Sequence, residues 1–251
     1  MPEQYAQNCR SFRIIDLMLV TVTTALVFSA AESTYFQFDP DDHWILNLRS
    51  FAYLVATSIC LASLIWIPLQ RAQSGRFFLQ PGHWILAALT CSMGMLQMIQ
   101  IWNVYEFGQT FKIEWERWNA ILMLFGAVCY LLALGILLVA MRYCKQRRWK
   151  VVMAFMASAC LLPAILNGFF GVYTLMGYGM SRTFSWMNPY HWVTQIITMG
   201  TGVTFCVAAA IDLANKIKRD WLHWIGLLVA FIFLVILPLV HNLYILVFRA
   251  T

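Results

Sequence analysis

Seven stretches of this chain are long and apolar enough to cross a lipid bilayer, which takes about 20 mostly apolar residues in a helix. They run Ile14–Ala31, Leu46–Leu69, Ile85–Tyr105, Asn119–Met141, Val151–Tyr178, Trp192–Ala214 and Leu222–Phe248. A backbone in lipid must satisfy its own hydrogen bonds, so only helices and closed barrels span a membrane. Barrel strands would show alternating segments of about ten residues. These runs are longer and continuous. The expected fold is therefore all-α: one polytopic helical bundle over residues 1–251 with seven transmembrane helices. Composition agrees, with 61% apolar and only 11% charged residues. A soluble enzyme, a disordered chain and a disulfide-stapled secreted module are excluded.

Charge sets the expected orientation. Of the 17 Lys and Arg, 12 fall at the N-terminus and in the second, fourth and sixth connections, including Arg71, Arg142, Arg147, Arg148, Lys150, Lys216 and Arg219. An odd number of spans puts those four regions on one side. By the positive-inside rule that side is cytoplasmic, the N-terminus is inside and the C-terminus outside. The expected location is a cytoplasmic (inner) membrane of bacterial type, with the lipid bilayer as the principal partner and no nucleic acid. The carboxylates Glu32, Asp39, Asp41, Asp42, Glu106, Glu114 and Glu116 fall on the outer side and read as a solvated loop surface. The seven cysteines form no CxxC or Cys/His cluster, and no metal site is expected.

All 11 tryptophans lie at or near span ends or in a loop, and read as an interfacial belt. One pattern goes beyond anchoring. His43-Trp44, His83-Trp84, His191-Trp192 and His223-Trp224 each open a span, and Pro40, Pro81 and Pro189 precede three of them. Proline suits the first turn of a helix, where its missing N–H costs nothing. Repeated use of good interfacial starts would explain the pattern; so would a duplication. The pairs mark the second and third spans, then the sixth and seventh, an offset that preserves orientation. That gives three helices, a linker helix and three helices, a parallel repeat of a kind common in transporters. The layout resembles the PQ-loop and sugar-exporter type of seven-span transporters in helix count. Their Pro-Gln pair is absent here and their N-terminus normally lies outside, so no residue is carried over.

Arg10 and Arg13, the apolar run Leu17–Ala30 and the small residues Ser29-Ala30-Ala31 also have the form of a signal peptide. A retained first helix balances the loop charges better and is the expectation adopted.

Polar residues inside the spans gather toward the outer half. His241 and Asn242 follow Pro238, and Asn167 lies one turn after Pro163. Gln97 and Gln100 share a face of the third span, and His191 and Gln195 a face of the sixth. Together they form a candidate outward-facing pocket for a small-molecule ligand. Hydrogen bonding between helices is the plainer role for each. Asp212, with Lys216 four residues on, reads as a surface ion pair. Gly200-Thr201-Gly202 reads as a close helix contact. Bends are expected near Pro163 and Pro238.

No span interior holds a lysine, which excludes a retinal Schiff base, and HExxH, P-loop and serine-nucleophile motifs are absent. No catalytic residues are expected, and no cofactor, apart from a minor reading in which His191 and His241 ligate haem. Two classes remain for a non-enzymatic chain. One is a small transporter or ligand-binding membrane protein; the alternative is a scaffold or subunit of a larger membrane complex. A haem-bearing electron-transfer subunit is the third reading.

Overall fold

The computed structural model describes residues 14–32, 44–74, 80–94, 112–177, 184–217 and 219–248. The described residues are helical apart from short connections and contain no strand. The elements are α1 (Ile14–Glu32), α2 (Trp44–Ser74), α3 (Pro81–Leu89), α4 (Lys112–Tyr143), α5 (Arg147–Leu175), α6 (Phe184–Ala214), α7 (Trp221–Phe231) and α8 (Leu237–Phe248). A π-helical turn, Thr90–Gly94, continues α3, and another, Ile232–Ile236, joins α7 to α8 in one rod. Thr90 and Ser63 on α2 share a buried hydroxyl contact of 2.5 Å where the first of these turns begins.

Among the described residues, five helical segments are long and apolar enough to cross a membrane: Ser50–Leu69, Trp118–Tyr143, Arg147–Leu175, Val193–Ala214 and Trp221–Val240. Ile14–Ser29 is a shorter apolar helix. The segment in α4 has a mean hydropathy of 2.7, yet only 28% of its most apolar window is buried. One face of it is apolar and turned outward: Val128, Leu131, Leu132, Leu138 and Val139 are all exposed, while Leu137 is buried. In water that would be a large apolar patch; in lipid it is the expected surface. The protein is a helical membrane bundle.

Ring contacts show how the rods alternate. Phe28 near the end of α1 meets Phe51 near the start of α2, so the two form an antiparallel hairpin. Trp66 toward the end of α2 meets Trp221 at the start of α7. Trp84 at the start of α3 stacks on Tyr143 at the end of α4. The start of α5 and the end of α6 join the same cluster through Trp149 and Asp212. Six helix ends thus converge at one end of the bundle, the end bearing the basic connections.

Helix ends follow local chemistry. Pro81 occupies the first turn of α3, as expected. Asp220 caps α7 by accepting the His223 N–H. Helix α5 stops at Gly177, with φ 86°. Helix α6 stops at Lys216, with φ 48°, as the Lys216 N–H bonds the Leu213 carbonyl and the Ile217 N–H bonds the Asp212 carbonyl. That pair of bonds is the Schellman arrangement, with lysine where glycine is usual. Helix α6 also starts earlier than expected, so His191-Trp192 opens its apolar span but not the helix.

Close contacts rest on small residues. A Cβ added to Gly171 on α5 would lie 2.9 Å from the Ala120 carbonyl oxygen and 2.7 Å from Leu124 on α4. One added to Gly202 on α6 would lie 2.8 Å from the Leu234 oxygen. Leu234 is the residue whose carbonyl a regular helix pairs with the N–H of residue 238, which proline lacks. The π turn precedes this point, the Leu237 N–H reaching back five residues to Ile232. Gly202 lets α6 pack against that altered backbone, as the Gly-Thr-Gly reading expected.

Candidate functional site: a polar junction at the basic end

The starts of α3 and α7 exchange hydrogen bonds reciprocally. From α3, His83 Nε2 lies 2.8 Å from the Asp220 carboxylate, the cap of α7. From α7, His223 Nδ1 accepts the Gly82 N–H of α3 at 2.8 Å. Gln80 just before α3 accepts the Asp220 N–H through its side chain at 3.2 Å. Each helix N-terminus leaves backbone donors unpaired, and here each is partly satisfied by the other helix or its cap. His83 and His223 are both buried, His223 completely.

The helices meet backbone to backbone. A Cβ at Gly82 would stand 2.7 Å from the His223 Cα, and one at Gly226 would stand 2.9 Å from the Gly82 carbonyl carbon. Only glycine allows this approach, and the approach brings the Gly82 N–H to the imidazole.

A second cluster joins α5, α6 and the connection to α7. Asp212 on α6 is fully buried, at 0% exposure. One carboxylate oxygen accepts from Arg148. The other accepts from Arg219 at 2.8 Å and from Trp149 Nε1 at 3.2 Å. Arg219 also donates to the Gln146 side chain at 2.7 Å. Trp149 links the clusters, its ring centre lying 5.8 Å from that of His223 in an edge-on arrangement. Trp224 stands edge-on to the same imidazole at 5.5 Å.

Asp220 lies outside the apolar spans. Burial opposes its charge, but the hydrogen bonds from His83 and the His223 N–H outweigh that effect. Its carboxyl is held below the usual carboxylate range. A depressed carboxylate stabilises the fold above its unfolded value, about 3.9, and that contribution fades as pH falls through the lower folded value. The cap therefore stays ionised from neutral to mildly acidic pH.

Two expectations are corrected. Asp212 is no surface partner of Lys216: Lys216 is exposed and terminates the helix, while Asp212 turns inward to two arginines. The tryptophans are not all interfacial anchors: Trp66 and Trp149 are buried core residues, and Trp149 is a donor to Asp212. Local spacing suggested the lysine; the true partners are Arg148, 64 residues away, and Arg219, 7 residues on and beyond the helix end.

Of the expected outward pocket, the described side chains of Asn167, Gln195 and Asn242 are not part of this junction. Asn167, Gln195 and Asn242 are half-buried on α5, α6 and α8 respectively. Gln97 and Gln100 lie outside the described residues. His191 and His241 belong to α6 and α8, and their side chains lie outside the described set. His43 also lies outside it. The junction residues were within reach of sequence reading: His83 and His223 belong to the repeated pair, and each has a glycine within one turn. No protein-family model, curated protein or solved structure matches the chain.

Proposed function

We propose that the chain is a small, non-enzymatic transporter of seven membrane crossings, built as two three-helix halves around the linker α4. In this reading α1–α3 form one half and the rods from α5 onward the other. The N-terminus lies in the cytoplasm and the C-terminus outside, with the basic end facing inward. The carrying observation is the reciprocal contact between α3 and α7. These are the third members of the two halves, both open on His-Trp, and each histidine engages the start of the other's helix. Each continues into a π turn two to three helical turns later, and such turns recur at functional sites. Parallel-repeat transporters work by rocking one half against the other around a central site. In this reading the junction is the inner closure, and the polar residues Gln97, Gln100, Asn167, His191, Gln195, His241 and Asn242 singled out in the sequence are the substrate-facing set.

Cys60 tests the reading. It is fully buried on α2, and its carbonyl accepts from Thr90 at 3.3 Å, placing it behind the junction. Thr90 is about 14 Å along the helix from Pro81. With the other cysteines replaced, maleimide applied from the basic side should label Cys60 slowly in the parent protein. Asp220→Ala should speed that labelling at least tenfold at constant pH. A scaffold whose polar residues only hold helices together would show Cys60 equally protected in both proteins.

A further inference from the structure

We propose that a proton taken up by His223 releases the α3–α7 junction, making the proton the ion that gates the inner side. The inference rests on the transporter reading and deepens it.

His223 Nδ1 accepts the Gly82 N–H at 2.8 Å, so it carries no proton in the closed state. The single proton of the neutral ring is then on Nε2. That atom is buried and has no hydrogen-bond partner. A further proton therefore goes to Nδ1, where it turns an acceptor facing an N–H into a donor facing an N–H. The contact cannot absorb this by a small shift, because Gly82 already lies against the His223 backbone. The helices must part at the crossing.

The charged surroundings point the same way. From α5 comes Arg148, from α6 Asp212, from the connection Arg219 and Asp220, and from α3 the ring of His83. Cys144 lies near Arg219 and Asp212, and α2 contributes the uncharged Trp66 through Trp221. Two carboxylates balance two guanidiniums. Asp220 Oδ1 is already engaged by His83 and by the His223 backbone. A proton on His223 thus adds a buried positive charge with no free anion beside it, and such a charge is costly until water reaches it. Opening toward the basic side supplies that water. One proton enters from inner-side water, one hydrogen bond breaks, and closure returns the proton.

The test uses the full-length protein in nanodiscs. Hydrogen exchange is followed at the Gly82 amide, corrected for the intrinsic pH dependence of exchange, in the parent protein and in His223→Gln. Glutamine retains an acceptor for the Gly82 N–H and does not titrate. The parent should lose at least tenfold in protection between pH 7.5 and 5.5, and His223→Gln should lose none beyond the correction. Protection constant with pH in the parent, or an equal loss in both proteins, overturns the proposal. Nitrogen-15 histidine spectra of the parent give a second measure independent of any variant. They should show His223 Nδ1 bare and Nε2 protonated at pH 7.5; a proton on Nδ1 at that pH overturns the proposal. Cys60 labelling in Asp220→Ala at fixed pH separates the two ideas. Faster labelling with pH-independent protection refutes the proton step and leaves the rocking reading standing. Unchanged labelling with pH-dependent protection refutes the rocking reading and leaves a proton-sensitive helix contact.

Discussion

Gly226→Ala should be among the most damaging single-methyl additions in this protein. The new Cβ would stand 2.9 Å from the Gly82 carbonyl carbon and 3.2 Å from the Leu86 Cβ, both tighter than ordinary packing. The obstacle is mainly backbone, which cannot rotate away. Forcing a methyl into a filled contact costs about 1–3 kcal/mol. If α3 and α7 separate by about an ångström to relieve it, the Gly82–His223 bond leaves hydrogen-bonding range. An unpaired buried donor then adds about 1–3 kcal/mol. Alanine recovers about 1 kcal/mol of helix propensity. The net destabilisation is about 1–5 kcal/mol on these terms. Gly135→Ala is the matched control, since a Cβ there meets nothing within 4 Å. It should be neutral or stabilising by up to about 1 kcal/mol. Unfolding followed by tryptophan fluorescence, as the mole fraction of denaturing detergent rises, measures both. Equal midpoints for the two variants would refute the backbone-contact argument.

Asp212→Asn should destabilise by about 3–5 kcal/mol, because it strips the counter-charge from a buried pair, whereas Lys216→Ala should stay within about 0.5 kcal/mol; the same unfolding assay compares them. Lys216→Gly should stabilise by about 1 kcal/mol by relieving a left-handed residue, and a lower midpoint would contradict the assigned helix end. Gly202→Ala should cost about 1–3 kcal/mol through its collision with the Leu234 carbonyl, read against Gly135→Ala.

Much of the architecture was legible because membrane helices announce themselves by length and apolarity. Helices occupy the first, fourth, fifth and last of the apolar stretches, the first of them as a shorter apolar helix, and where helix ends depart from the stretches the causes are local. Pro81 starts α3 four residues before the apolar run. Helix α6 extends back to Phe184 through a stretch too polar to count as a span. The close contact at Gly202 was also legible, from small residues alone. The junction was half visible. Repetition singled out His83 and His223, but a repeat does not say that its copies touch. Asp212 shows the limit most clearly. Its nearest sequence partner at helical spacing is Lys216, and the chain reverses at that lysine, so the carboxylate meets arginines from elsewhere. Trp149 looked like every other interfacial tryptophan because composition does not report which face of a helix end turns inward.

The most direct measurement of the central claim is a distance across the two halves at the basic end. Leu69 on α2 and Lys216 after α6 are exposed positions for spin labels, and the proposed architecture assigns them to opposite halves. Pulsed dipolar spectroscopy in nanodiscs should give one dominant short distance in the parent protein. Asp220→Ala should add a longer population, as the junction opens and the halves rock apart. A single distance, identical in both proteins while both remain folded, would contradict the account.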